Sequence, residues 1–199
     1  MGAKALKVIA QKGRMGLTDF YITKMFAKDL VDHVHFACEL DNWNALPYKN
    51  RIQRDINIRR VIDEIYPFFI NGQNSFWGSI IVCAMTGIGT EDFSPITKYL
   101  KLDNSCSIEK PLNDIGILSL PDSASLIAVD GQHRLLAMKL AVYGVDAITL
   151  LPQKITKDIK KELEDFSPNP NVGDEEISVV FVNGIEAESV QNMEFHLSI

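Results

Sequence analysis

Apolar and polar positions alternate near the start of the chain and recur at helical spacing further along. "ALKVIAQ" and "TDFYITKMF" read as two strands separated by a turn region at Gly13–Gly16. "AKDLVDHVHFACEL" puts Leu30, Val31, Val34 and Ala37 or Cys38 near helical spacing and predicts a helix over 27–40. "NRIQRDINIRRVIDEIYPFFI" predicts another, with Ile58, Val61, Ile62 and Ile65 on one face and Arg59, Arg60, Asp63 and Glu64 available for the other. Pro67 and the "NGQNS" stretch are expected to end it. "FWGSIIVCAM" reads as a buried strand, while 86–113 gives no clear periodicity. "DIGILSLP" and "SASLIAV" predict two strands joined by a hairpin or tight connection around Pro121-Asp122.

"QHRLLAMKLAVYG" predicts a helix closed by Gly144. "KITKDIKKELEDF" reads as a helix laced with opposite charges, "SPNPNVGDEE" as a loop, "ISVVFV" as a strand and "EAESVQNMEFHLSI" as a last helix. Strands and helices alternate without a strict βαβ rhythm, so the class is α+β (mixed α/β).

The length, 199 residues, fits a single domain over 1–199, either a short protein or the N-terminal part of a longer one. A hydrophobic fraction of 46% is enough to build a core. The net charge of −6 argues against a polycation that coats nucleic acid indiscriminately. No apolar run approaches the roughly 20 residues that span a bilayer, so no membrane partner is expected. Leu6 stands where a myristoylation signal needs Ser or Thr. Cys38, Cys83 and Cys106 are odd in number and widely spaced, which suits neither a disulfide framework nor a zinc knuckle. These features place the chain in the cytoplasm.

The candidate chemistry lies in "SLIAVDGQHRLLAMKLAV", where Asp130-Gly131-Gln132-His133-Arg134 separates a strand from a helix. Asp130 and Gly131 alone would serve as an N-cap and a turn. The pentapeptide as a whole suits an anion. A helix N-terminus offers unpaired amides, Gly131 lets a phosphate approach the backbone, and Arg134 presents a planar fork. His133 can donate to a phosphate or move a proton, Gln132 adds a neutral donor and acceptor, and Asp130 can hold a metal, act as a base or cap.

"DGQHR", preceded by a hydrophobic strand and followed by "LLAMKLA", resembles the signature of the DGQHR-domain proteins, whose best known members are the DndB proteins of bacterial DNA phosphorothioation clusters. More distantly, the strand–DGxxR–helix arrangement is similar to the ParB/sulfiredoxin superfamily, whose members bind nucleotides through this loop. The resemblance runs from about Arg51 to Val145, with "RIQRDINIRRVIDEIYPFFI" and "FWGSIIV" matching a QR-containing helix and the strand after it.

The resemblance implies a ParB/sulfiredoxin-like core with a phosphate-binding turn. It implies binding of ATP or another nucleoside triphosphate by Gly131, Gln132, His133 and Arg134. Hydrolysis would use Asp130, His133 and Arg134, with Mg2+ held through Asp130. Partners would be the nucleotide, DNA and other proteins of the modification cluster. ATP hydrolysis in a DNA task is the first reading. A non-enzymatic transcriptional regulator of the cluster is the second, and a DNA nickase or nuclease the third, disfavoured because no acidic cluster for two metals is visible.

Arg51, Arg54, Arg59 and Arg60, with Gln53, form the densest cationic stretch and are the candidate DNA or phosphate contacts. Arg59 and Arg60 equally suit pairs with Asp55, Asp63 or Glu64 at helical spacing. His33 and His35 would splay apart on a helix and lack further metal ligands, and His196 reads as incidental. Phe68, Phe69, Phe76 and Trp77 read as core rather than as a base-stacking platform.

Overall fold

A computed structural model describes residues 5–39, 56–71, 77–100, 109–121, 124–148, 159, 161, 163, 166 and 168–183. The chain opens with a hairpin of β1 (Leu6–Met15) and β2 (Thr18–Phe26), closed at Gly16 with φ 59°. The turn falls later than the sequence suggests, because β1 continues through Gly13. Gly13 pairs with Phe20, whose ring occupies the space a side chain at 13 would need. Glycine here marks a close approach within a strand, not a turn.

Helix α1 covers only Ala27–His33 of the predicted 27–40. Val34 turns extended, and Val34–His35 forms the two-residue strand β3 alongside β7, followed by a 3-10 turn at Ala37–Glu39. Val34 and Phe36 are fully buried there, so tertiary pairing overrides the helical spacing. Further along, α2 (Ile58–Arg60) and α3 (Tyr66–Asn71) are joined without a break by a π turn over Val61–Ile65. The helix therefore passes through Pro67, which was expected to stop it. Pro67 has no N–H to donate back along the helix, and the wider π turn stands directly before it.

Strands β4 (Ile80–Ala84) and β5 (Phe93–Pro95) follow, then α4 (Glu109–Asn113) and β6 (Ile115–Leu120). Next come β7 (Leu126–Asp130), α5 (Gln132–Tyr143), a one-turn helix at Pro170–Gly173 inside the expected loop, and β8 (Glu176–Asn183). The predicted 76–85 strand is confined to β4. The predicted helix over 154–166 is described only at scattered positions, among them the buried Leu163. The predicted last helix lies outside the described residues.

The described strands form one eight-stranded mixed sheet in the order β3-β7-β4-β8-β2-β1-β6-β5. The β3–β7 and β4–β8 neighbours are parallel and the rest antiparallel. The fold is α+β, as the alternation implied. The hairpin expected between β6 and β7 does not form: both strands exist, but β6 pairs with β1 and β5 while β7 pairs with β4 and β3. Two apolar strands close in sequence invite a hairpin, and only long-range pairing separates them. Both sheet edges are blunt, since β3 has two residues and β5 ends at Pro95.

The core centres on α5, which packs against α1, α3, the π turn and the Pro170–Gly173 turn. Every residue from Leu135 to Ala141 is buried, so the helix shows no polar face. Gly144 closes it with φ 67°, as expected. Among the described residues no helix is long and apolar enough to cross a membrane.

Candidate functional site at the β7–α5 turn

Strand β7 delivers Asp130 to its end, and α5 begins at Gln132. Gly131 between them is left-handed, with φ 84° and ψ 16°, and is the N-cap. A Cβ at this position would lie 3.0 Å from both Arg134 Nη2 and Ile80 Cγ1, so glycine is required for conformation and for space. Among the described residues no side chain caps the helix. Asp130 is thus not the cap that its position suggested: its carboxylate is 57% exposed and lies 3.7 Å from Arg134 Nη2. The first bond within the helix runs from the Leu135 amide to the Gly131 carbonyl at 2.8 Å.

Arg134 reaches across the sheet instead of along the surface. Its Nη1 donates to the Trp77 carbonyl and its Nη2 donates to the Ser79 carbonyl at 3.0 Å. Between those carbonyls Gly78 has φ 60°, and a Cβ there would stand 3.0 Å from Arg134 Nη1. The guanidinium is therefore enclosed by two left-handed glycines and clamps the entry to β4 onto α5. Two of its five N–H donors serve this clamp.

His133 faces the helical segment. Its Nε2 accepts the Asn57 amide at 3.0 Å, which fixes the proton on Nδ1 and leaves the ring neutral. Burial pushes its pKa below the ordinary value, and the nearby Arg60 charge pushes it the same way. Asn57 is in turn the N-cap of α2, its side chain accepting the Arg60 amide at 3.1 Å. His133 thereby ties α2 to the turn. Arg60 pairs with Glu64 at 3.3 Å, the helical spacing the sequence offered as an alternative to phosphate contact. Arg59 and Arg60 sit at the start of this helical segment, while Arg51, Gln53 and Arg54 lie outside the described residues.

The chain matches the family model described as "DndB: DNA-sulfur modification-associated" over residues 8–197. It belongs to the DndB family. No curated protein and no solved structure matches it. The match extends well beyond the 51–145 stretch that carried the resemblance, and it gives this DndB-family chain a role in DNA phosphorothioation.

Sequence reasoning missed the partners of the turn in this DndB domain, namely Asn57, Trp77 and Ser79. Gly78 within "FWGS" was the available signal for the Arg134 clamp. A buried ionic group two turns along α5 was also missed. Lys139 is only 4% exposed, and its Nζ lies 5.2 Å from the centre of the Phe36 ring. Burial lowers its pKa, while the Glu39 and Asp32 charges act the other way. Glu39 accepts the Phe36 amide at 3.0 Å and lies 3.0 Å from His35 Nδ1. Burial would raise the Glu39 pKa, but the bonds from His35 and the Phe36 amide outweigh it and hold it low.

His33 sits on α1 with Nδ1 against the Asp29 carbonyl at 2.8 Å. Among the described residues no three His, Cys, Asp or Glu side chains converge as metal ligands. Phe69 is buried and stacks on Trp77 at 3.3 Å between centroids, whereas Phe68 is half exposed and meets Trp77 edge-on. Phe76 lies outside the described residues.

Proposed function

We propose that the β7–α5 turn binds the phosphates of a nucleoside triphosphate and that its hydrolysis serves the chain's task in DNA sulfur modification. The observation that carries this reading is the uncapped start of α5 at the left-handed Gly131, with the exposed Asp130 carboxylate beside it. Twelve residues of aligned helix place partial positive charge there, and glycine permits an anion to lie against the backbone.

Arg134 adds a fixed full charge behind that position through the N–H groups its clamp leaves over, and Arg60 adds a second near His133. In this reading His133 holds the helical segment in place and Asp130 orients the attacking water. A lone carboxylate also suits Mg2+, which is commonly held by one or two carboxylates and the substrate phosphates and would neutralise charge on the phosphate oxygens. Arg60 would exchange its pair with Glu64 for the incoming phosphate or the DNA backbone, and Arg59 stands next to it at the start of the same helical segment.

The test is phosphate release by the full chain with Mg2+ and ATP, GTP or CTP, with and without duplex DNA. Asp130→Asn is the informative variant, because the carboxylate is exposed and, among the described residues, makes one long ion pair. Turnover in the wild type that falls on the order of 100-fold in Asp130→Asn supports the assignment. Turnover unchanged in that variant, or none with any nucleotide, defeats it.

A further inference from the structure

The β1–β2 hairpin differs from the rest of the molecule in three respects. First, it projects. Among the described residues β6 pairs with β1 as far as Gln11 and β8 pairs with β2 from Phe20 onward. Gly13 pairs with Phe20 at the margin, and beyond it the two strands pair, among the described residues, with each other alone, through Arg14↔Asp19 and Met15↔Thr18. At about 3.4 Å per residue the finger extends roughly 10 Å past the sheet.

Second, its tip is apolar where a tight turn is ordinarily polar. Leu17 is 93% exposed and Met15 76%, and Ile9, Ile22 and Phe26 continue the exposed apolar set along the same two strands. Third, it is basic. The two strands carry Lys7, Lys12, Arg14 and Lys24 against one acid, Asp19, a net of +3 in a chain whose total is −6; Lys24 pairs with Glu176 of β8 at 2.6 Å, while Lys12 and Arg14 share Asp19 near the tip. The finger is internally braced, with Arg14 Nε donating to the Gly16 carbonyl at 3.3 Å and Lys12 lying 2.8 Å from Asp19.

We propose that this finger is a DNA-contacting element: it enters a groove of duplex DNA with Met15 and Leu17 against the base edges, while Arg14 and Lys12 lie along the flanking phosphates. The inference rests on the DNA role of the family and is independent of the nucleotide reading. A two-stranded ribbon fits the major groove, which is about 12 Å wide and 8.5 Å deep, so a 10 Å projection reaches its floor. Exposed Met and Leu gain by leaving water against thymine methyl groups there, and the hairpin backbone that carries them is already ordered. The charge asymmetry supplies the complementarity: the acidic remainder of the molecule turns away from the phosphates and orients the basic finger toward them.

The experiment is fluorescence anisotropy of a labelled duplex with the full chain, without nucleotide, across a salt series. The wild type is compared with Arg14→Ala and with a double variant carrying Met15→Ser and Leu17→Ser, with melting curves and light scattering on each. The substituted side chains lie beyond the sheet, so melting is expected to be unchanged. The double variant is expected to weaken binding about tenfold with the salt slope retained. Arg14→Ala is expected to reduce the slope by about one phosphate contact.

Wild-type affinity in both variants overturns the proposal, as does the absence of duplex binding by the wild type. A dimer that the double variant converts to a monomer also overturns it, making the tip a self-association surface. Phosphate release without finger-dependent DNA binding defeats this inference alone, and finger-dependent binding without phosphate release defeats the nucleotide reading alone.

Discussion

Replacing Arg134 by Ala removes the fork that joins α5 to the entry of β4. Two carbonyls, of Trp77 and Ser79, lose a charged donor. Bonds to charged groups contribute about 1.5–3 kcal/mol each, and the two together roughly 3–6 kcal/mol. The guanidinium is about one-quarter exposed, so water re-enters and satisfies part of the demand, leaving a net cost of about 2–4 kcal/mol. For a chain of this length that corresponds to a fall in melting temperature on the order of 5–15 °C.

Urea unfolding followed by tryptophan fluorescence, without nucleotide, measures the cost directly. Arg134→Lys is the sharper variant, because one ammonium cannot reproduce two divergent bonds across Gly78, and it is expected to recover less than half of the loss. An unchanged midpoint in Arg134→Ala, or full recovery by Lys, would refute the clamp and return Arg134 to the role of a simple charge. If the clamp holds, a loss of activity in Arg134→Ala cannot by itself locate a phosphate ligand. This is why Asp130 is the residue on which to test turnover.

Three further outcomes are expected. Gly131→Ala costs about 1–2 kcal/mol for the left-handed backbone, with crowding against Arg134 and Ile80 added, and differential scanning calorimetry of the variant measures it. His133 has a folded pKa below its ordinary 6.5, so the unfolded chain takes up its proton first; stability falls as pH drops from about 6.5 through the folded value, and His133→Gln removes that component from a series of urea midpoints. Lys139 is also lowered, and for a base this means that stability rises as pH climbs from the folded value toward 10.5; Lys139→Met abolishes the rise and at pH 7 leaves stability unchanged or raises it by up to about 2 kcal/mol, read from the same denaturation.

The elements legible in the sequence were those with strong local signals. α5 was marked by its apolar run and by Gly144, β8 by a β-branched run, and the hairpin by alternation. Failures arose where distant partners decide. Val34 leaves the helix because β7 offers it a pairing edge, Pro67 is tolerated because a π turn precedes it, and β6 and β7 separate because each finds a better neighbour far along the chain. The pentapeptide was visible as a strand-to-helix unit, but the direction of Arg134 and the tautomer of His133 were not. Both are set by Trp77, Ser79 and Asn57, at 55 to 76 residues' distance.

The burial of α5 on every side has a dynamic consequence. A helix with a polar face can slide or tilt at the surface, but one enclosed from Leu135 to Ala141 moves only if the core opens. Its amides should therefore be among the slowest to exchange with solvent. A ligand arriving at its N-terminus meets a stationary post, so any response must pass through what the post holds: Asn57 on one side and the Trp77–Ser79 segment on the other.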